Sequence, residues 1–295
     1  MRRSCDERSR IVTAFHPRVS YCWFASVNDR RYNVPMRIIG FSTGTLQLKP
    51  TFLEGSPAHG GPFGLIRHIG RDPAFTEPLP MWAWIIETAT ERILVDTGGA
   101  PGATGGVTRT RFHIEPHQSL ACELARLDLK PADFDRVVLT HLHGDHVGGL
   151  AAFDPQRVWV AKPEWEPVAR FPGRLMRFMT APVPRGFVPR VFDYNGPPSH
   201  GFTGSWPVTS DGSVIALPTP GHSPGHTSYL VRRPDGDVLL AGDVTYDVPA
   251  LESQREQGFI ANVERHHDSL RRVLALVRSG VAYLPSHDPS AAARL

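Results

Sequence analysis

The segment Thr140–Gly149, read as Thr-His-Leu-His-Gly-Asp-His-Val-Gly-Gly, places His141, His143, Asp145 and His146 within six residues. Three neutral imidazoles and a carboxylate at this spacing suit Zn²⁺ or another borderline divalent cation. A rigid strand cannot fan such close side chains toward one point, but a loop can. Gly148 and Gly149 on its far side permit the tight backbone path. A second segment, Thr-Pro-Gly-His222-Ser-Pro-Gly-His226-Thr227, is a Gly/Pro turn carrying two histidines. Asp243 closes the run Leu239-Leu-Ala-Gly, and His287 stands in Pro285-Ser-His287.

These residues need elements that carry them to one place. Asp135–Thr140 is a short β-branched run of the buried-strand type and leads straight into the histidine cluster. Strands are expected at Met36–Phe41, Ser213–Leu217, Thr227–Val231, Asp237–Ala241 and Val281–Leu284. A hairpin is expected from Met81–Glu87 and Arg92–Val95. Helical spacing marks Pro116–Leu127 and, more strongly, Asn262–Arg278, with Gly280 just past its end. Each candidate ligand thus falls at a strand end, where the loops of an α/β sheet build sites. Residues 163–212 show little periodicity, and the Phe- and Met-containing part (Phe171, Met176, Phe178, Met179, Phe187) is a candidate lining for an acyl pocket.

Composition bounds the rest. The chain has 295 residues, 41% apolar and 21% charged, enough to bury a large core without disulfides. The 28 Pro and 27 Gly predict many loops. No apolar run approaches the length of a membrane span. The net charge is +3 and the basic residues are interleaved with acids, against a nucleic-acid partner. Cys5, Cys22 and Cys122 form no CxxC pair, which points to a reducing compartment. Arg-rich residues 1–35 are expected to be a disordered extension, or to precede a true start at Met36. His16, Pro17 and Arg18 interrupt the apolar segment that a secretory signal requires, so a cytoplasmic location is expected.

The HxHxDH cluster, the TPGHxxGH turn, the LLxGD strand end and the late Ser-His-Asp together resemble the metallo-β-lactamase fold hydrolases, from about residue 36 onward. The resemblance implies an α/β fold, a four-layer αβ/βα sandwich of two mixed β-sheets flanked by helices. It implies one domain over 36–295, with 163–212 as a candidate lid. On the family pattern His141, His143 and His226 bind one metal and Asp145, His146 and His287 a second, with Asp243 between the two. His222 is then structural, and Asp96 of Asp-Thr-Gly orients ligands from behind them.

Within that superfamily the chain is most similar to the quorum-quenching N-acyl-homoserine lactonases. The full Thr-Pro-Gly-His-Ser-Pro-Gly-His turn carries the likeness, as does Tyr246, three residues after Asp243. The implied cofactor is a pair of divalent cations, Zn²⁺ by default, with Fe, Mn and Co accepted by the same ligands. The implied reaction is opening of a lactone ring by a hydroxide shared between the metals. Tyr246 would stabilise the oxyanion, and Asp145 would pass a proton to the leaving alkoxide. The expected partner is a small lactone or ester, with neither nucleic acid nor membrane. Another small lactone, ester or thioester hydrolase is the alternative. A glyoxalase II-type enzyme is disfavoured because eight residues after His287 leave no room for its helical domain. A non-catalytic metal-binding protein is the reading furthest from a complete ligand set.

Overall fold

The computed structural model describes residues 22–28, 35–53, 69, 71–170 and 183–295. Among these, an eight-stranded sheet is built from β1 (Cys22–Asn28), β2 (Pro35–Gln47), β3 (Leu79–Glu87), β4 (Arg92–Val95), β5 (Arg111–His113), β6 (Arg136–Val138), β7 (Val158–Ala161) and β8 (Arg190–Phe192). The strands lie in the order β1-β2-β3-β4-β6-β7-β8, with β5 paired to β2. A five-stranded sheet holds β9 (Trp206–Pro207), β10 (Val214–Pro218), β11 (Thr227–Val231), β12 (Val238–Gly242) and β13 (Ala282–Pro285) in reverse order from β13 to β9. The helices are α1 (Pro50–Leu53), α2 (Leu120–Arg126), α3 (Gly144–Val147), α4 (Lys162–Ala169), α5 (Val248–Glu252) and α6 (Val263–Arg278).

Strand alternation sorts the side chains into layers. On β3, Trp82, Trp84 and Ile86 face the second sheet, where they meet Val214, Ala216, Tyr229, Val231 and Leu240. The intervening Ala83 and Ile85 face the opposite way, toward Leu120 and Leu124 of α2 and Trp165 of α4. The outer face of the second sheet presents Leu217, Leu230, Leu239 and Tyr283 to Leu270, Val273 and Leu274 of α6. Helix, sheet, sheet and helix therefore stack as the four-layer sandwich. Asn262 caps α6 by accepting the Arg265 N–H at 2.8 Å.

The hairpin β3–β4, β11 and the α6 helix lie where the sequence pattern puts them. Strand β2 runs past the expected Phe41, because Gly44 at φ 109° lets it bend through a register irregularity between Ser42 and Thr45. The free edge of β2 is then shared. β5 pairs with Thr45–Gln47, and Cys22–Asn28 pairs with residues 35–41. That last strand lies inside the stretch expected to be an extension. It differs from the expectation because an open edge of β2 offers unpaired backbone groups that a preceding segment satisfies. The 163–212 stretch also carries more structure than its weak periodicity suggests: α4, with Pro163 in its first turn, then β8 and β9.

Strands β4, β6, β7 and β8 run parallel, as do β12 and β13. The carboxyl ends of parallel strands are where α/β sheets place ligands. Asp96 follows β4, the histidine cluster follows β6, Asp243 follows β12 and His287 lies just past β13.

Candidate metal centre

The loop after β6 is held from beneath by Asp96. Its carboxylate, at a residue in the left-handed region (φ 61°) and buried, accepts from the Thr140 N–H at 2.8 Å, from the Thr140 hydroxyl at 2.8 Å and from Nδ1 of His146 at 2.8 Å. The Thr140 hydroxyl gives its proton to Asp96, so it accepts from Nδ1 of His141, 3.0 Å away. His287 donates from Nδ1 to the Pro80 carbonyl at 2.8 Å. In each ring Nδ1 is held from outside, so Nε2 is the nitrogen that faces inward. His143 turns the other nitrogen inward: its Nδ1 lies 2.9 Å from His141 Nε2 and 3.0 Å from His222 Nε2.

Two donor groups result. His141, His143 and His222 form one, and Asp145, His146, Asp243 and His287 the other, the ligand atoms of each group lying within 4.8 Å of one another. Asp243 faces both. Its Oδ2 is 3.6 Å from His222 Nε2, 4.0 Å from His141 Nε2 and 3.3 Å from His287 Nε2, while Oδ1 is 3.3 Å from His146 Nε2. Gly242, at φ 61° beside a register irregularity, is the kink that aims Asp243 here.

Six of the seven expected ligands are thus brought together, and the seventh is exchanged. His226 stands behind the cluster. Its Nδ1 faces the Thr219 carbonyl at 3.2 Å and the Thr219 hydroxyl at 2.9 Å, and its Nε2 accepts the backbone N–H of Asp243 at 2.9 Å. Both nitrogens are engaged, and His226 lies outside both donor groups. His222, expected to be structural, takes the place in the group. Within a turn that holds two histidines, sequence carries no signal for which one the backbone will turn inward.

The electrostatics divide the same way. Burial, reinforced by neighbouring histidines, holds His141, His143 and His222 below the ordinary histidine value, neutral and able to donate a lone pair. Burial opposes charge on His146 and His287 too, but Asp243 and Asp145 outweigh it, lifting His146 well up and His287 to about 10. Asp145 is drawn down to about 2 and Asp243 is held well below the usual carboxylate value, burial being overcome at both by His146 and His287. The donor set fits divalent cations: nitrogen and oxygen atoms converge in a buried place, and His146 Nε2 and Asp243 Oδ1 there have no hydrogen-bond partner.

Sequence reading missed Glu164. Its buried carboxylate accepts from the Leu142 N–H at 3.1 Å, the Ser223 hydroxyl at 2.7 Å and the Gly225 N–H at 2.8 Å, tying the loop after β6 to the turn before β11. It lies on α4, in a region with no periodicity to mark it.

Tyr246 is 7% exposed, its ring 5.5 Å from that of His287 and 6.5 Å from that of His222. Burial, and then Asp243 and Asp145, raise its hydroxyl well above the usual tyrosine value, so it stays a proton donor. It belongs to an apolar cluster with Leu46, Leu48, Phe52 and Met81, and Phe259 of that cluster stacks edge-on against His143 at 5.5 Å. Phe187, by contrast, is packed in the core against α4 rather than lining a pocket. Phe171, Met176, Phe178 and Met179 lie outside the described residues.

A helix-flanked double sheet with paired His/Asp donor groups at the strand ends defines a metallo-hydrolase fold. A family model of the metallo-beta-lactamase superfamily matches residues 76–282, and the chain belongs to that superfamily. It is 26% identical over 239 residues to the N-acyl homoserine lactonase AttM of Azorhizobium caulinodans, covering 72% of this chain and 83% of that one. A probable metallo-hydrolase of Mycobacterium tuberculosis is 28% identical over 232 residues, covering 74% of each chain. Among solved structures, an N-acyl homoserine lactone hydrolase bearing N-hexanoyl-L-homoserine at its catalytic metal centre superposes with a TM-score of 0.67 at 22% identity, over 86% of this chain and 93% of the other. That likeness is one of fold. Among the described residues no helix is long and apolar enough to cross a membrane.

Proposed function

We propose that the protein is a dinuclear metal-dependent hydrolase that opens the ring of an N-acyl-homoserine lactone, and that it acts in the cytoplasm. The observation that carries this reading is the pair of donor groups sharing Asp243. His141, His143 and His222 would hold one cation, and Asp145, His146 and His287 the other, with Asp243 between them. Zn²⁺ suits this mixture of nitrogen and oxygen donors. Bound there, the cations would supply Lewis-acid activation of the carbonyl and of the attacking water.

The chain's own residues do the rest. The Tyr246 hydroxyl donates to the carbonyl oxygen as charge develops on it. Asp145, whose side chain is the most exposed of its group at 15%, takes a proton from the attacking water and passes it to the leaving alkoxide oxygen. Phe259, half-buried against His143, and Leu53, both packed over the buried Phe52, would give an acyl chain an apolar wall on that side of the site. The lactonase AttM relatives support the lactone class.

Hydrolysis of a panel by the Zn²⁺-loaded protein tests this. N-acyl-homoserine lactones of graded chain length, other lactones, aryl esters, thioesters, nitrocefin and a phosphodiester would be compared by kcat/KM. The homoserine lactones should lead by at least about tenfold. Preference for a thioester or a simple ester would move the reading to the other hydrolases of this fold.

A further inference from the structure

Gln257 lies in the connection between α5 and α6, 2% exposed, and every polar atom of its side chain is engaged. Its Nε2 is 3.0 Å from the Asp243 carbonyl oxygen and 3.2 Å from that of Val244. Carbonyl oxygens only accept, so the amide group is on that side and Oε1 is on the other. Oε1 lies 3.0 Å from Nδ1 of His222. It too only accepts, so Nδ1 of His222 carries the proton and Nε2 the lone pair. That Nε2 is the atom 3.0 Å from His143 Nδ1 and 3.6 Å from Asp243 Oδ2.

Three of the other inward-facing rings have outer partners of their own: Thr140 for His141, Asp96 for His146 and Pro80 for His287. His222 has its partner in a separate connection. That connection is fastened to the histidine turn by Ala261 N–H to the Gly221 carbonyl at 2.7 Å and Asn262 N–H to the same oxygen at 3.1 Å. One side chain therefore couples two things: the tautomer of His222 and, through the Asp243 and Val244 carbonyls, the path of the backbone that carries Asp243.

We propose that Gln257 is a positioning residue that sets the tautomer of His222, and through it the affinity of the His141–His143–His222 group for a divalent cation; this rests on reading that group as a metal site. Removing the acceptor behind a ligating histidine typically weakens metal binding by about 10- to 100-fold. Gln257→Leu removes the acceptor together with the two donors, whereas Gln257→Glu keeps the acceptor and, protonated on the oxygen between the Asp243 and Val244 carbonyls, a donor on that side.

The full-length Zn²⁺-loaded protein and both variants would be dialysed against graded chelator and metal per chain measured. In Gln257→Leu one equivalent should be lost at about 10- to 100-fold lower chelator while the other stays. In Gln257→Glu both should be held as in the wild type. Equal retention in Gln257→Leu, or equal loss in both variants, overturns the proposal. Long-range ¹H–¹⁵N spectra of the wild type, with the His222 signals identified by their absence in His222→Ala, read the tautomer without depending on the Gln257 variants. Protonated Nδ1 is expected, and protonated Nε2 overturns the proposal. A wild type that takes up no divalent cation defeats the metal-centre reading instead. The same spectra on the metal-free chain then still decide the role of Gln257.

Discussion

The phenol of Tyr246 is held protonated by burial and by two carboxylates, at the seam between the histidine cluster and the apolar wall. A donor in that position stabilises charge that appears only in the transition state, so its loss should fall on turnover. Tyr246→Phe is expected to lower kcat about 10- to 100-fold with metal content and melting temperature unchanged, as read by steady-state kinetics, metal analysis and calorimetry. Loss of metal and stability together would make Tyr246 a packing residue. The two histidines of the Gly/Pro turn make a sharper contrast. His222→Ala should lower the metal bound per chain. His226→Ala should keep the metal but leave the buried Asp243 N–H without its acceptor, at a cost of about 1–3 kcal/mol in a denaturant melt. The opposite pattern would restore His226 as the ligand.

At the level of elements, neither ligand-bearing loop is held by regular structure alone. Glu164 on α4 takes one donor from the loop after β6 and two from the turn before β11, so a single carboxylate spans the gap between the sheets. Glu164→Ala would strand three buried donors, each worth about 1–3 kcal/mol. We expect stability to fall by about 3 kcal/mol or more. Hydrogen exchange should accelerate in residues 141–147 and 219–226 but not in α6. Uniform acceleration through α6 would mean that Glu164 supports the whole fold rather than these two loops.

Over the whole molecule, the donors come from both sheets, so a bound cation would link them. Stability should then rise with free metal, by about 2.7 kcal/mol at a hundredfold excess over Kd, and chelator should lower the melting temperature accordingly. A melting temperature insensitive to both Zn²⁺ and chelator would contradict a metal spanning the sheets. Acid should also act at a ring outside the site. His266, at the start of α6, is lowered to about 4 by burial first and by His267 next, and its Nε2 has no hydrogen-bond partner. The unfolded chain takes that proton near 6.5. The contribution of the neutral ring is therefore complete above about 6.5 and is lost as pH falls toward 4. His266→Leu should flatten the decline in stability across that window. Parallel profiles for the wild type and the variant would exclude this ring as the cause.

What sequence alone determined is whatever local pattern can encode. The strand that leads into His141, the close spacing of His141, His143, Asp145 and His146, and the amphipathic run of α6 are all written within a few residues of themselves. The metallo-β-lactamase resemblance extended this to the sandwich, because its motifs mark the ends of particular strands. Tertiary structure decided what depends on approach between distant segments. Which histidine of the turn faces inward follows from where Asp243 presents its N–H and Gln257 its amide, two positions that lie 17 and 35 residues from His226 and His222 respectively. Glu164 and Gln257 sit in stretches without periodicity, and their importance arises only when loops from both sheets close around them. β1 likewise forms because β2 has an open edge, a property of the assembled sheet that no short window of residues contains.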